Sequence, residues 1–165
     1  MSTPLIPVSR GAGTATSLRE FLAFKIGSEE YGVDILRVQE IRSFEQPTRM
    51  VNAPSQVLGV MNLRGVIVPI VDLRIQFGLS DVRYDEFTVI VVLNLGHKVI
   101  GMVVDSVADV ITLTPEQLSP APEFAGAINA EAVQALGTVN GRMLILLNIE
   151  KVLGATDVNV ATQAV

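Results

Sequence analysis

The feature that most constrains this chain is a unit it contains twice. Val57–Gly78, VLGVMNLRGVIVPIVDLRIQFG, falls without a gap on Val133–Gly154, VQALGTVNGRMLILLNIEKVLG, at a shift of 76 residues. In the first copy the apolar runs Val57–Leu63 and Val66–Val71 flank the pair Arg64-Gly65. Two β-branched runs joined by two residues ending in Gly predict a tight hairpin. Asp72 is then placed to cap a short turn of helix, Leu73–Phe77, which Gly78 ends in the left-handed conformation. Gly65 matches Gly141, Asp72 matches Asn148 and Gly78 matches Gly154, so both copies predict strand, turn, strand and one turn of helix.

The two hairpin tips differ in a telling way. Asn140-Gly141 is the pair favoured in a type I′ turn, where both central residues need positive φ. Gly takes that conformation freely and Asn at small cost, but Arg does not. Arg64 therefore stands where local chemistry selects Asn or Asp. A residue that breaks a local rule without visible compensation is a candidate functional residue. The plainer reading is an exposed turn that happens to carry Arg.

A second segment also recurs. Phe21–Ile41 falls on Ile90–Val110 at a shift of 69, pairing Gly27 with Gly96, Gly32 with Gly101, Val38 with Val107 and Glu40 with Asp109. The two shifts differ by seven, so the later copy carries an insertion between Val110 and Val133, in a Pro-containing stretch that reads as loop. Within it Thr114-Pro115 predicts one turn of helix with Thr as cap. The expected organisation is a disordered arm over 1–17, a duplicated domain over 18–154 with copies near 18–86 and 87–154, and a flexible tail over 155–165.

Each copy offers about five short strands, with Phe21–Ile26 first, then Tyr31–Ile35 continuing through Leu36 to Ile41. The expected class is all-β with few short helical turns, as small closed barrels or a sandwich. A copy of about 65 residues is marginal alone. Two copies should share a seam, and with 49% apolar but only 5% aromatic residues that seam should be aliphatic. Pro69 cannot donate to a ladder, so Val66–Val71 should be an edge strand or carry a bulge. Ile145 replaces it in the second copy, so the copies should differ there.

Chemistry is scarce. A net charge of −5 argues against nucleic-acid or anionic-membrane partners. There is no Cys, hence no thiol nucleophile and no thiolate metal site. No secretory leader or long apolar span is present, which with the missing Cys suggests a cytoplasmic protein. His97 sits in a Gly96-His97-Lys98 turn and reads as solvated. The adjacent carboxylates Glu29-Glu30 and Asp85-Glu86 read as solvated turn residues, unlike the facing pairs of acid–base sites. No zinc, phosphate-loop, nucleophile-elbow or dinucleotide motif occurs. The sequence points to a protein that binds and does not catalyse.

EEYGVDILRVQEIR (Glu29–Arg42), GVMNLRGVIVPIVDLR (Gly59–Arg74), VIGMVVDSVADV (Val99–Val110) and LSPAPEF (Leu118–Phe124) resemble the CheW-like domain family of bacterial chemotaxis, in order and over Leu18 to about Gly154. The resemblance implies two pseudo-twofold-related five-stranded SH3-like β-barrels and no catalytic activity or cofactor. It further implies an adaptor between the cytoplasmic tips of transmembrane chemoreceptors and the histidine kinase CheA, through the kinase's own CheW-like regulatory domain. Such an adaptor works in the cytoplasm at membrane-associated receptor arrays. By position in the motifs it implies receptor-binding roles for Val38, Glu40, Gly59 and Arg64, Gly59 by shaping the strand. A CheW-like regulatory module of a larger kinase or another scaffold system is the alternative, favoured less because the chain has an initiating Met and tails on both sides. A small hydrolase or ligand-binding barrel is a third reading, and the absence of a titratable cluster counts against it.

Overall fold

The computed structural model describes residues 18–121 and 130–154, so the expected arm, the expected tail and part of the insertion lie outside the described residues. Among the described residues eleven strands run in order: β1 (Arg19–Ile26), β2 (Glu29–Asp34), β3 (Val38–Ser43), β4 (Val57–Leu63), β5 (Val66–Asp72), β6 (Val89–Asn94), β7 (Val99–Val104), β8 (Ser106–Leu113), β9 (Leu118–Ser119), β10 (Val133–Val139) and β11 (Arg142–Leu147). Two short α-helices follow the two hairpins, α1 (Leu73–Gln76) and α2 (Ile149–Gly154). Asp72 caps α1 as expected, its carboxylate accepting from the Arg74 amide.

The strands form two sheets, in the orders β8-β1-β2-β11-β10-β9 and β3-β6-β7-β5-β4. Neither sheet is one sequence copy. Each takes the first two strands of one copy and the later strands of the other, so β1 and β2 belong with β8 to β11, while β6 and β7 belong with β3 to β5. We call the first unit barrel A and the second barrel B. The joints are the antiparallel β1–β8 and β3–β6 ladders and the short parallel β2–β11 and β5–β7 ladders. Both barrels draw in their ends in the same way, for the chain beyond the third strand returns to the fourth. Thr48 bridges Val60 in barrel B, and Ser119 pairs with Leu136 in barrel A.

The exchange requires a break that the sequence reading missed. The strand expected over Tyr31–Ile35, in a segment read as continuing to Ile41, stops at Asp34. A 3-10 turn, Ile35–Arg37, carries the chain across from barrel A to barrel B before β3 begins. Asp34 supplies the stop, its carboxylate accepting from the Leu36 amide 3.0 Å away. In the insertion, Pro115–Gln117 forms the expected single turn, with Gln117 Oε1 accepting from the Thr114 amide at 2.8 Å.

Burial follows the pleat. On β1, Phe21 and Ala23 face a small core inside barrel A with Leu144 and Leu146, while Leu22 and Phe24 face the seam between barrels. On β6, Ile90 and Val92 fill barrel B while Val91 and Leu93 face the same seam. Strands buried on both faces read as unbroken apolar runs, as these do. The seam is the largest cluster and mainly aliphatic, but it also holds Phe24, Tyr31 and Phe77 in ring contact, with centroids 5.8 and 5.4 Å apart.

Pro69 corrects an expectation. β5 lies between β7 and β4 and is not an edge strand. The bulge falls on its partner β4, between Val57 and Gly59. Pro69 is tolerated because Val60 opposite it bonds outward to Thr48, and the parallel ladder with β7 begins one residue later at Ile70. In the second copy Ile145 keeps its amide and is paired with Tyr31, so the copies do differ there.

Candidate protein-docking site

Glu40 on β3 and Arg64 in the β4–β5 turn lie 24 residues apart in sequence and at opposite ends of the barrel B strand order. Folding brings them together. Arg64 occupies the tip of the β4–β5 hairpin with φ 51°, followed by Gly65 at φ 89°. The matching tip has Asn140 at 53° and Gly141 at 78°, so Arg64 does adopt the left-handed conformation that suits Asn. Within the tip, Asn62 Oδ1 accepts from the Gly65 amide at 2.8 Å. From there the Arg64 guanidinium donates to Glu40 Oε2 across the barrel end. The Arg64 side chain remains 67% exposed, leaving donors free for a second acceptor.

Glu40 is held from two sides. Arg42, two residues along the same strand, brings Nη1 to 3.7 Å from the other Glu40 oxygen and Nη2 to 3.8 Å from Glu45. The Arg42 Nε is buried without a partner, so its guanidinium is incompletely satisfied. Val38 opens β3, half-buried against the seam. Exposed Ile41, Val66 and Ile67 add apolar surface on β3 and β5.

Gly59 is a matter of backbone. Its φ is 149°, and a Cβ there would sit 1.9 Å from the Thr48 carbonyl oxygen. Gly59 thus lets the chain beyond β3 lie against β4 and complete the barrel end that displays Glu40 and Arg64. Val38, Glu40 and Arg64 are side-chain features of barrel B, whereas Gly59 shapes it.

The counterpart on barrel A is closed. Arg142 donates through Nε and Nη2 to the Glu30 carboxylate at 3.1 and 3.0 Å, and through both Nη atoms to Asp109 at 3.2 and 3.0 Å. Those hydrogen bonds hold the Asp109 carboxyl below its ordinary value and raise the guanidinium above its own. Glu30 is therefore engaged and only 18% exposed, against the expectation of a solvated turn residue. His97 is exposed in the β6–β7 turn, as expected.

Sequence reasoning missed a buried polar node. Asp72 and Arg74, 0% and 2% exposed, form a bidentate pair with both bonds at 2.9 Å. Tyr84 donates to Asp72 at 2.7 Å and lies under the guanidinium, 4.8 Å from its ring centroid. Arg74 Nη1 donates to Asp105 at 2.9 Å and to the Arg83 carbonyl at 2.7 Å. Burial opposes the Arg74 charge, but the bonds to Asp72 and Asp105 outweigh it and raise the pKa. Burial and the bond to Asp72 push the Tyr84 hydroxyl up to about 12. Asp105 also accepts from the Gly27 amide of barrel A at 2.7 Å, so the node spans both barrels. The spacing of Asp72 and Arg74 was the available signal, but a cap explained Asp72 and hid its second role.

Comparison with known proteins agrees with this architecture. The CheW-like domain family profile matches residues 20–157. The chemotaxis protein CheW of Klebsiella aerogenes is 54% identical, covering 93% of this chain and 92% of that protein. A probable chemotaxis protein CheW of Rhizobium etli is 35% identical over 84% of this chain and 90% of its own length. The crystal structure of the scaffolding protein TtCheW from Thermoanaerobacter tengcongensis superposes with a TM-score of 0.74 at 26% identity, covering 79% of this chain and 88% of that one. No helix among the described residues is long and apolar enough to cross a membrane. Fold, motifs and relatives agree: the chain belongs to the CheW-like domain family, a family of non-catalytic chemotaxis scaffolds.

Proposed function

We propose that the protein couples the cytoplasmic tips of transmembrane chemoreceptors to the histidine kinase CheA, with the end of barrel B that bears Glu40 and Arg64 as its receptor-binding face. One observation carries the reading: an Arg in a conformation suited to Asn, fixed by Glu40 yet 67% exposed. The backbone cost of a left-handed Arg is about 1–2 kcal/mol, and an exposed ion pair returns about 0–1 kcal/mol. Stability of the isolated chain does not account for Arg64; a partner's acceptor does. Val38, half-buried at the start of β3, belongs to the same proposed face, exposed Ile41, Val66 and Ile67 lie on β3 and β5, and Gly59 sets its shape. Strands left at the ends of the ladder suit partners that bind by their own strands, as the kinase's CheW-like regulatory domain would. The protein reaches the membrane-associated array through these partners.

Reconstitution tests the reading. Receptor signalling fragments and purified CheA are mixed with and without the protein, and kinase activity is measured. Receptor-dependent activation that requires the protein is the expected result. Kinase activity indifferent to the protein, with no retention on immobilised receptor fragments, would overturn it.

A further inference from the structure

The chain crosses between the barrels at two equivalent places, and the two crossings are secured very differently. At β7–β8, Asp105 is held by Arg74 of α1 within the buried node. At β2–β3 the corresponding tie joins Arg37, the last residue of the 3-10 turn, to Glu150 of α2. Position 150 is the repeat partner of position 74, and position 37 follows the repeat partner of Asp105 by one. The same structural relationship is thus kept with the charges reversed. The Arg74 side chain is 3% exposed, whereas Arg37 and Glu150 are 37% and 49% exposed, their single contact Nη2–Oε2 at 2.7 Å.

What Arg37 leads into matters more than the pair itself. The next residue is Val38, and Glu40 is two further on. The start of β3 is irregular: the register slips between Val38 and Glu40, and the Val38 amide is tied to Ile35 within the 3-10 turn. Asp34 fixes the front of that turn and is itself held by Arg19 at 3.0 Å. Leu36 at its crown is 87% exposed, while Ile35 and Val38 on either side are only partly buried against the seam. The exit end has two exposed polar contacts, Arg37 with Glu150 and, one strand across, Asn94 Nδ2 donating to Gln39 Oε1 at 3.3 Å; only the first reaches barrel A.

We propose that Glu150, on barrel A, is a positioning residue for the recognition strand of barrel B, acting through Arg37 to set the start of β3 and with it Val38 and Glu40. The proposal rests on the receptor-binding reading above. It makes α2 a point at which a change on one barrel is felt at the docking face of the other. Because the tie is exposed it is weak and screened by salt, which suits an adjustable link better than a fixed brace.

The test uses the full chain with Glu150→Gln, Arg37→Gln, and the charge exchange Arg37→Glu with Glu150→Arg. Receptor-fragment affinity is measured at low and high salt, beside amide exchange of Val38 to Glu40 in the free protein. Each single substitution should weaken receptor binding about two- to five-fold at low salt, hasten exchange at those amides, and leave the melting temperature near that of the wild type. The exchanged pair should restore both readouts. Wild-type affinity and wild-type exchange in Glu150→Gln would overturn the assignment, as would an exchanged pair no better than the single variants. If the unmodified protein fails to bind receptor fragments, the receptor reading falls and this assignment with it. Normal wild-type binding with an indifferent Glu150→Gln removes only the assignment.

Discussion

Replacing Arg64 with Asn should separate folding from recognition. In the folded chain the substitution removes one exposed ion pair, worth about 0–1 kcal/mol, and relieves a left-handed Arg that costs about 1–2 kcal/mol. Asn keeps a smaller part of that cost, as Asn140 does in the matching turn at φ 53°. Glu40 is not stranded, because Arg42 stays 3.7 Å from its other oxygen. The balance is zero to slightly favourable, so the melting temperature should hold or rise by up to about 2–4 °C, the shift expected per kcal/mol at this size. Recognition should move the other way. A charged hydrogen bond lost at an interface costs about 1.5–3 kcal/mol, or roughly ten- to 150-fold in affinity. The assay is a thermal melt and a receptor-fragment titration on one preparation of Arg64→Asn. A variant that melts early, or one that binds as well as the wild type, would refute the reasoning.

Three other outcomes are expected. Arg74→Met leaves the Asp72 carboxylate buried with only Tyr84 and the Arg74 amide to bond it, so it should cost about 3–5 kcal/mol by denaturant titration; a loss below 1 kcal/mol would contradict the node. Gly59→Ala and Gly141→Val should be unequal: a Cβ at Gly141 meets nothing within 4 Å, leaving only backbone strain of about 1–2 kcal/mol, whereas at Gly59 it also collides with the Thr48 carbonyl, so melts that rank the pair in reverse would show the barrel end is misread. Asp109 should titrate below its ordinary 3.8 because Arg142 stabilises the charged form. A depressed acid contributes stability that is complete above the unfolded value and lost as pH falls through the folded one. Carboxyl NMR should therefore place Asp109 higher in Arg142→Gln than in the wild type, and an unchanged titration would remove the pair's electrostatic role.

Much of the local structure is written in short spacings, and those were readable. The hairpins, the Asp72 cap, the turn after Thr114 and the left-handed Arg64 each depend on residues a few positions apart. Glu40 and Arg64 stood out separately, one by its place in a motif and the other by its conflict with the turn. That they touch depends on how the barrel end comes together and was not visible beforehand. Repeats gave equivalence but not partnership, because an alignment of two copies is the same whether each folds on itself or exchanges strands. The residue that could have signalled the exchange was Asp34, a helix-capping type in the middle of an apparent strand. The Arg74 node was hidden for a different reason. Its members come from three stretches, and charged residues scattered in sequence look solvated until the fold collects them.

Strand exchange between the copies has a consequence for how the protein is made. Translation delivers β1 and β2 first, but their other pairing partners, β8 and β11, begin only at residues 106 and 142. Synthesis runs at roughly 5–20 residues per second, so this first hairpin waits on the order of five to twenty seconds beside the ribosome before barrel A can form. A hairpin alone is marginal in water, and this one carries the apolar faces of Phe21 to Phe24 that end up in both the seam and the barrel core. Barrel B can assemble as soon as β7 emerges, whereas barrel A, beyond its first hairpin, cannot be completed before β11. The order of birth is thus fixed by topology: the barrel with the proposed docking face is complete first, and the N-terminal hairpin waits for the last hairpin to close it in.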